Sequence, residues 1–172
     1  MNEVIRVLEN RKSVRGYKPE LIPEADLNQI AEAGLHAPSG MNRQSAKLVV
    51  ITDPSIMKQL SEMNCRIMGG EKDPFYGAQE MILVLADKTA PTYVYDGALV
   101  MGNLLNAAYA LGYGACWIHR AKEEFESEEG KELLKKWGIE GEWEGIGHCI
   151  IGYPVDPIPA PVPIKEGRII RV

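Results

Sequence analysis

Residues 91–111 leave a fold the least freedom. They read as one long helix, apolar almost all round, that Gly112 and Gly114 bring to a stop. Such a helix has to be covered on several sides, by the core of its own domain or by a partner subunit. Its most apolar part, 97–111, is interrupted by Asn103 and Asn106. That part is also shorter than the ~20 residues a bilayer span requires. The helix is therefore expected inside a globular protein, with the other elements built around it.

Those elements follow from periodicity and punctuation. Segments 48–52, 81–86, 115–119 and 144–153 read as strands. Asn2 can cap a first helix carrying Val4, Ile5, Val7 and Leu8, and Pro23 suits the first turn of a second. Leu27, Ile30, Ala31, Gly34 and Leu35 fall on one face of that second helix, and Pro38 ends it. A third helix covers 54–63 and a loop 69–77. Ser127 can cap a short helix with Glu128 and Glu129 in its first turn and Lys135 and Lys136 in its last. Pro154, Pro157, Pro159, Pro161 and Pro163 make an extended arm. After it, 168–172 is expected as a closing strand docked away from the point of departure, on a second subunit. There are no internal repeats and no boundary, so 1–172 is expected to be one domain.

Composition narrows the function. A net charge of -5 and a pI near 5.3 argue against nucleic acid as a partner. The N-terminus lacks a basic region followed by an apolar run, so no signal peptide is expected and the protein is expected in the cytoplasm. Cys65, Cys116 and Cys149 show no Cys-x-x-Cys spacing, and His36, His119 and His148 no ligand spacing. No metal is expected, and Cys116 and Cys149 should be buried free thiols.

Against that acidic background, Arg11-Lys12-Ser13-Val14-Arg15 packs three cations and a hydroxyl into five residues. Arg offers a planar fork suited to phosphate, and Ser adds a short donor. The simpler reading is that cations following a helix complement its dipole. Three further segments read as ligand loops: Pro38-Ser39-Gly40-Met41-Asn42-Arg43-Gln44, the turn through Ile118-His119-Arg120, and Lys165 with Arg168. Each has a plainer reading as loop, core strand or surface charge. Gly145-Ile146-Gly147 and Gly112-Tyr113-Gly114 lack the third glycine of a dinucleotide fingerprint, and neither lies between a strand and a helix. There is no P-loop and no Ser nucleophile elbow.

Taken in order, these segments resemble the nitroreductase family of flavin enzymes over nearly the whole chain. The pieces are the Arg-x-Ser-x-Arg at Arg11, Ser13 and Arg15, the Pro-Ser-Gly-x-Asn-x-Gln loop from Pro38 to Gln44, and the long apolar helix into a Gly-turn strand. Gly152-Tyr153-Pro154 and the C-terminal Lys165 and Arg168 complete the set. The resemblance implies an α+β fold, a mostly antiparallel sheet flanked by helices, in a homodimer with exchanged C-terminal arms. It implies FMN at the dimer interface. Arg11, Lys12 and Ser13 would serve its phosphate and ribityl chain, helped by Lys165 and Arg168, and Arg15 its pyrimidine edge. Pro38, Ser39, Gly40 and Asn42 would come from the partner, and Ile118, His119 and Arg120 would lie near the flavin N5 edge. NAD(P)H would reduce the flavin, which would pass the hydride to a small acceptor such as a nitroaromatic or quinone. No side chain need be catalytic in the strict sense. The loop departs from many relatives at Ser45-Ala46, and 61–76 leaves little material for a lid. Two alternatives stay open: a flavin-binding protein of this fold without general reductase activity, and a small anion-binding regulatory domain without redox chemistry.

Overall fold

The computed structural model describes residues 2–172. In chain order, the elements are α1 (Glu3–Asn10), α2 (Glu24–Leu35), a 3-10 turn (Gly40–Asn42), β1 (Ala46–Ile51), α3 (Pro54–Met68) and β2 (Glu80–Asp87). They continue with α4 (Tyr93–Ala110), β3 (Gly114–Ile118), α5 (Ala121–Glu126), α6 (Glu128–Lys136) and β4 (Trp143–Gly152). The four strands form one antiparallel sheet in the order β1-β2-β4-β3. The α+β architecture, an antiparallel sheet flanked by helices, is the one expected.

Strand alternation sends side chains to both faces of this sheet. From β2, Met81, Leu83 and Leu85 enter a core shared with α3, α5 and α6. Ile82, Val84 and Ala86 enter a second core shared with α2 and α4. This explains why β2 reads as an unbroken apolar run, although antiparallel sheets commonly keep one wet face. A register shift between Val84 and Leu85 bulges the β2–β4 ladder.

Helix α4 lies across the second core. It can approach because Gly97 has no side chain: a Cβ there would meet Ile146 Cγ1 at 2.6 Å. Val100, Met101, Leu104, Leu105 and Ala108 are buried, whereas Tyr95 is 74% exposed. One side of the all-round apolar helix is thus uncovered within the chain. Helix α1 buries only Val7 and leaves Val4, Ile5 and Leu8 exposed.

Several local expectations are met. Asn2 caps α1 with its side chain, Ser127 caps α6, and Pro54 occupies the first turn of α3. Others are corrected. Pro23 is the N-cap of α2 rather than part of its first turn, and Leu35 leaves the apolar face for solvent. Helix α3 runs on to Met68, where Gly69 caps it at φ 68°. Helix α5 was not expected, because no Ser, Thr, Asp or Asn precedes it; its N-cap is Arg120. Segment 168–172 forms no strand. Among the described residues the last backbone hydrogen bond runs from Val155 N–H to the Gly16 carbonyl. Beyond it the prolines lack donors, and Ile169 and Ile170 stand exposed with no strand edge beside them.

The α4 contact yields a first prediction. Gly97→Leu should lower stability by about 1–3 kcal/mol through overpacking against Ile146. A lower urea midpoint at unchanged slope would register it, and an unchanged midpoint would contradict the packing described.

Candidate functional site

The basic stretch is fixed beside β3. Ser13 makes a parallel bridge to Ala115, and Val14 N–H donates to the Ala115 carbonyl at 3.1 Å. Gly114 permits this, since a Cβ there would sit 2.9 Å from Val14 Cβ. On its other side the stretch is stitched to the end of β4. Tyr17 bridges Pro154, and Lys18 N–H donates to the Tyr153 carbonyl at 2.9 Å. The buried Tyr17 hydroxyl donates back to the Val14 carbonyl at 2.9 Å, and burial pushes its pKa well above the ordinary phenol range. Arg11 is the C-cap of α1, and its backbone N–H closes the last turn on the Val7 carbonyl.

Two hollows flank this stretch and share Arg15. One, of about 350 Å³, is lined by Arg15, by Trp117, Ile118, His119 and Arg120 at the end of β3, and by Lys72, Pro74 and Tyr76. The other, of about 340 Å³, lies between Ser13, Gly16 and the start of the proline arm at Asp156 and Pro157. Arg15 is therefore brought together with Ile118, His119 and Arg120. Among the described residues none of Arg11, Lys12, Arg15, Lys72, Arg120, Lys165 or Arg168 takes part in an ion pair. Lys165 and Arg168 line neither hollow and stand exposed on the arm.

The Pro38–Gln44 loop lies elsewhere. It leads into β1, at the opposite edge of the sheet from β3. Three strand spacings separate those edges, or roughly 14 Å. The loop is held in an unusual shape: Met41, Asn42 and Gln44 all have positive φ, at 54°, 53° and 50°. Each such non-glycine residue costs on the order of 1–3 kcal/mol. Asp96, buried near the start of α4, offsets this. It accepts from Gly40 N–H at 3.0 Å, Ser45 Oγ at 2.6 Å and Thr92 Oγ1 at 3.0 Å. Burial works to raise the Asp96 pKa, but these three donors hold it below the ordinary carboxylate value. Ser39 Oγ accepts from Gln44 N–H at 2.9 Å.

The sequence reading missed a buried polar cluster behind the larger hollow. His148 and Glu124 are both fully buried and bonded, Nε2 to Oε2, at 2.8 Å. Glu124 also accepts from Asn64 Nδ2. Asn64 donates to the His119 carbonyl at 2.8 Å and accepts from Arg120 Nε at 3.2 Å. His148 Nδ1 is buried with no hydrogen-bond partner. The available signals were a lone Asn on the apolar face of α3 and a lone His within an apolar strand. Glu124 gave none, since it sits in a run of charges.

All cysteines are free. Cys116 and Cys149 are buried as expected, and burial raises the Cys149 thiol far above its usual value. Among the described residues no group of three or more His, Cys, Asp or Glu could hold a metal ion, and no helix is long and apolar enough to cross a membrane.

Comparison with known proteins places this arrangement. The family model described as "Nitroreductase family" matches residues 8–68, which include the basic stretch and the Pro38–Gln44 loop. A protein of Archaeoglobus fulgidus, named provisionally as an NADH dehydrogenase/NAD(P)H nitroreductase, is 30% identical over 161 residues, 91% of this chain and 88% of its own. The chain belongs to the nitroreductase family. The crystal structure of a Bacteroides fragilis nitroreductase with bound FMN superposes at a TM-score of 0.91, with 26% identity and 100% of both chains covered. An iodotyrosine deiodinase bound to FMN and 3-iodo-L-tyrosine gives a TM-score of 0.78 at 25% identity, covering 98% of this chain and 97% of its own.

Asp96 supplies the second prediction. Asp96→Ala leaves three donors without their acceptor and should cost about 1.5–3 kcal/mol. Trypsin should then cleave after Arg43 faster than in the wild type. The lowered pKa also sets a sign. The Asp96 contribution is complete above its unfolded value of 3.8 and is lost as the pH falls through the lower folded value. In acid titrations of stability, Asp96→Asn should remove that part of the acid limb, and an unchanged limb would contradict the assignment.

Proposed function

We propose that this chain is a single-domain FMN-dependent oxidoreductase that draws reducing equivalents from NAD(P)H and passes them to a small acceptor such as a nitroaromatic or quinone. The observation that carries this reading is the pair of hollows joined at Arg15, with Ser13 along one and the His119–Arg120 turn along the other, while Arg11 and Lys12 line neither. Their donors suit FMN: a phosphate needs cations and a hydroxyl, and the flavin edge needs donors beside an apolar wall. FMN-bound relatives support the same assignment.

Arg11, Lys12 and Ser13 would hold the phosphate and ribityl end, with Lys165 and Arg168 brought in by the arm. Arg15 would sit at the pyrimidine edge, where a fixed guanidinium stabilises negative charge without reorganising. Ile118, His119 and Arg120 would form the wall near N5. When bound, FMN supplies hydride acceptance and donation. The chain's own part is to bind, orient and polarise.

The site is completed by a second subunit in this reading. Pro38, Ser39, Gly40 and Asn42 are too far across the sheet to join Arg15 in one chain, so they would serve the partner's flavin. The uncovered faces of α1 and α4, together with Val162, Ile164, Ile169 and Ile170 on the arm, provide apolar surface for that association. Arms exchanged between subunits would bring Lys165 and Arg168 to the phosphate end. The deiodinase likeness favours a second reading, in which the fold binds flavin without acting as a general reductase.

The purified protein should carry a flavin absorbance band that NADH bleaches without oxygen and a quinone restores. A band that NADH leaves unchanged would favour the second reading, and a protein that binds no FMN would end both. Arg15→Gln should weaken FMN binding by about 1.5–3 kcal/mol, measured by fluorescence quenching. Sedimentation at micromolar concentration should give a dimer; a monomer there would end the shared-site arrangement.

A further inference from the structure

We propose that Arg120 is a built seat for an oxyanion, a carboxylate or phosphate carried by one of the two substrates. The proposal rests on reading the larger hollow as the substrate side of the flavin site. Arg120 stands in the left-handed region at φ 79°, at the N-cap of α5, and lines that hollow. Its Nε is tied to Asn64 Oδ1, and no other hydrogen bond or ion pair engages its guanidinium among the described residues. Both Nη nitrogens are therefore free of protein partners. A guanidinium gripped through Nε alone presents the remaining edge of its planar fork, the geometry suited to a pair of anionic oxygens.

The grip is supported from the interior. Asn64, Glu124 and His148 are all fully buried. Asn64 turns its Oδ1 to Arg120 because its Nδ2 is engaged by the His119 carbonyl and by Glu124. Glu124 is held in turn by His148. This chain of bonds leaves His148 Nδ1 buried and unpaired, a cost that an apolar core would avoid. The Glu124 carboxyl oxygens are engaged by Asn64 and His148, and neither bonds Arg120.

The rest of the hollow agrees in sign. Lys72 and Arg15 line it without ion-pair partners among the described residues. The acidic group in the wall, Asp73, is turned into its own loop. It accepts from Ser61 Oγ at 2.8 Å, Phe75 N–H at 2.9 Å and Gly77 N–H at 2.7 Å. An anion entering here meets unpaired cations in a protein whose net charge is -5.

Equilibrium calorimetry on the protein as purified tests this without turnover. Matched probes are benzoate against benzamide, for an acceptor's carboxylate, and 2′-AMP against adenosine, for a nucleotide's phosphate. In the wild type the anion of at least one pair should bind roughly 10- to 100-fold tighter than its neutral partner, as a charge-assisted contact allows. A preference in the benzoate pair assigns the seat to the acceptor, and one in the 2′-AMP pair to the donor. Arg120→Lys keeps the charge but loses the fork and should abolish most of the preference. Lys135→Gln, a charge change on α6, should leave it intact. Asn64→Ala should reduce it although Arg120 is still present, an effect that a merely structural Asn64 would not have. No anion preference in either pair, or a preference that survives Arg120→Lys, overturns the proposal. Should Asn64→Ala fail to fold, Arg120→Lys still decides. Absence of bound flavin with the preference intact would instead count against the flavin reading alone.

Discussion

β2 feeds both cores at once, with Met81, Leu83 and Leu85 on one side and Ile82, Val84 and Ala86 on the other. The helices from α2 onward are placed by that double burial. Helices must cover both faces, because neither face of the central strand tolerates water. Once α4 and α2 occupy one face and α3, α5 and α6 the other, the loops that carry polar chemistry are pushed to the sheet's ends and edges. The basic stretch is received at the β3 edge because Gly114 lets Val14 approach, and Asp96 pins the Pro38–Gln44 loop at the other edge. Separation of the two loops is thus a property of the sheet order rather than of the loops.

Much of this was legible in the chain. The long apolar helix, the four strands and the caps at Asn2 and Ser127 follow from short-range patterns that packing then reinforced. The resemblance carried the family because its motifs lie in order along the chain. What escaped depended on contacts distant in sequence. Asn64, Glu124 and His148 meet across 60 and 24 positions, and nothing local marks Glu124 as buried among its charged neighbours. The closing strand failed for a related reason. Ile169 and Ile170 have strand character, but a strand needs an edge, and none lies beside them within the chain. Helix α5 began without a side-chain cap, so its start was invisible.

The two ligand loops are built by opposite means. Arg11–Arg15 is ordinary extended backbone paired to a neighbour, and its character lies in its charges. The Pro38–Gln44 loop carries its information in backbone shape, in positive-φ residues held by a buried carboxylate. A charge cluster can be read from composition. A strained loop is harder to read: of its three positive-φ residues only Asn42 is a type that favours that conformation, and Met41 and Gln44 do not announce it.

The backbone of Arg120 places it among positions where glycine would sit more comfortably. A side chain kept there is maintained against the conformational preference of its own residue type. Glycine at this corner would relieve the backbone, but it would leave the buried Asn64 Oδ1 without its donor and remove a cation from the hollow. Arg120 thus marks where the comfort of the backbone and the work of the side chain pull this chain in different directions.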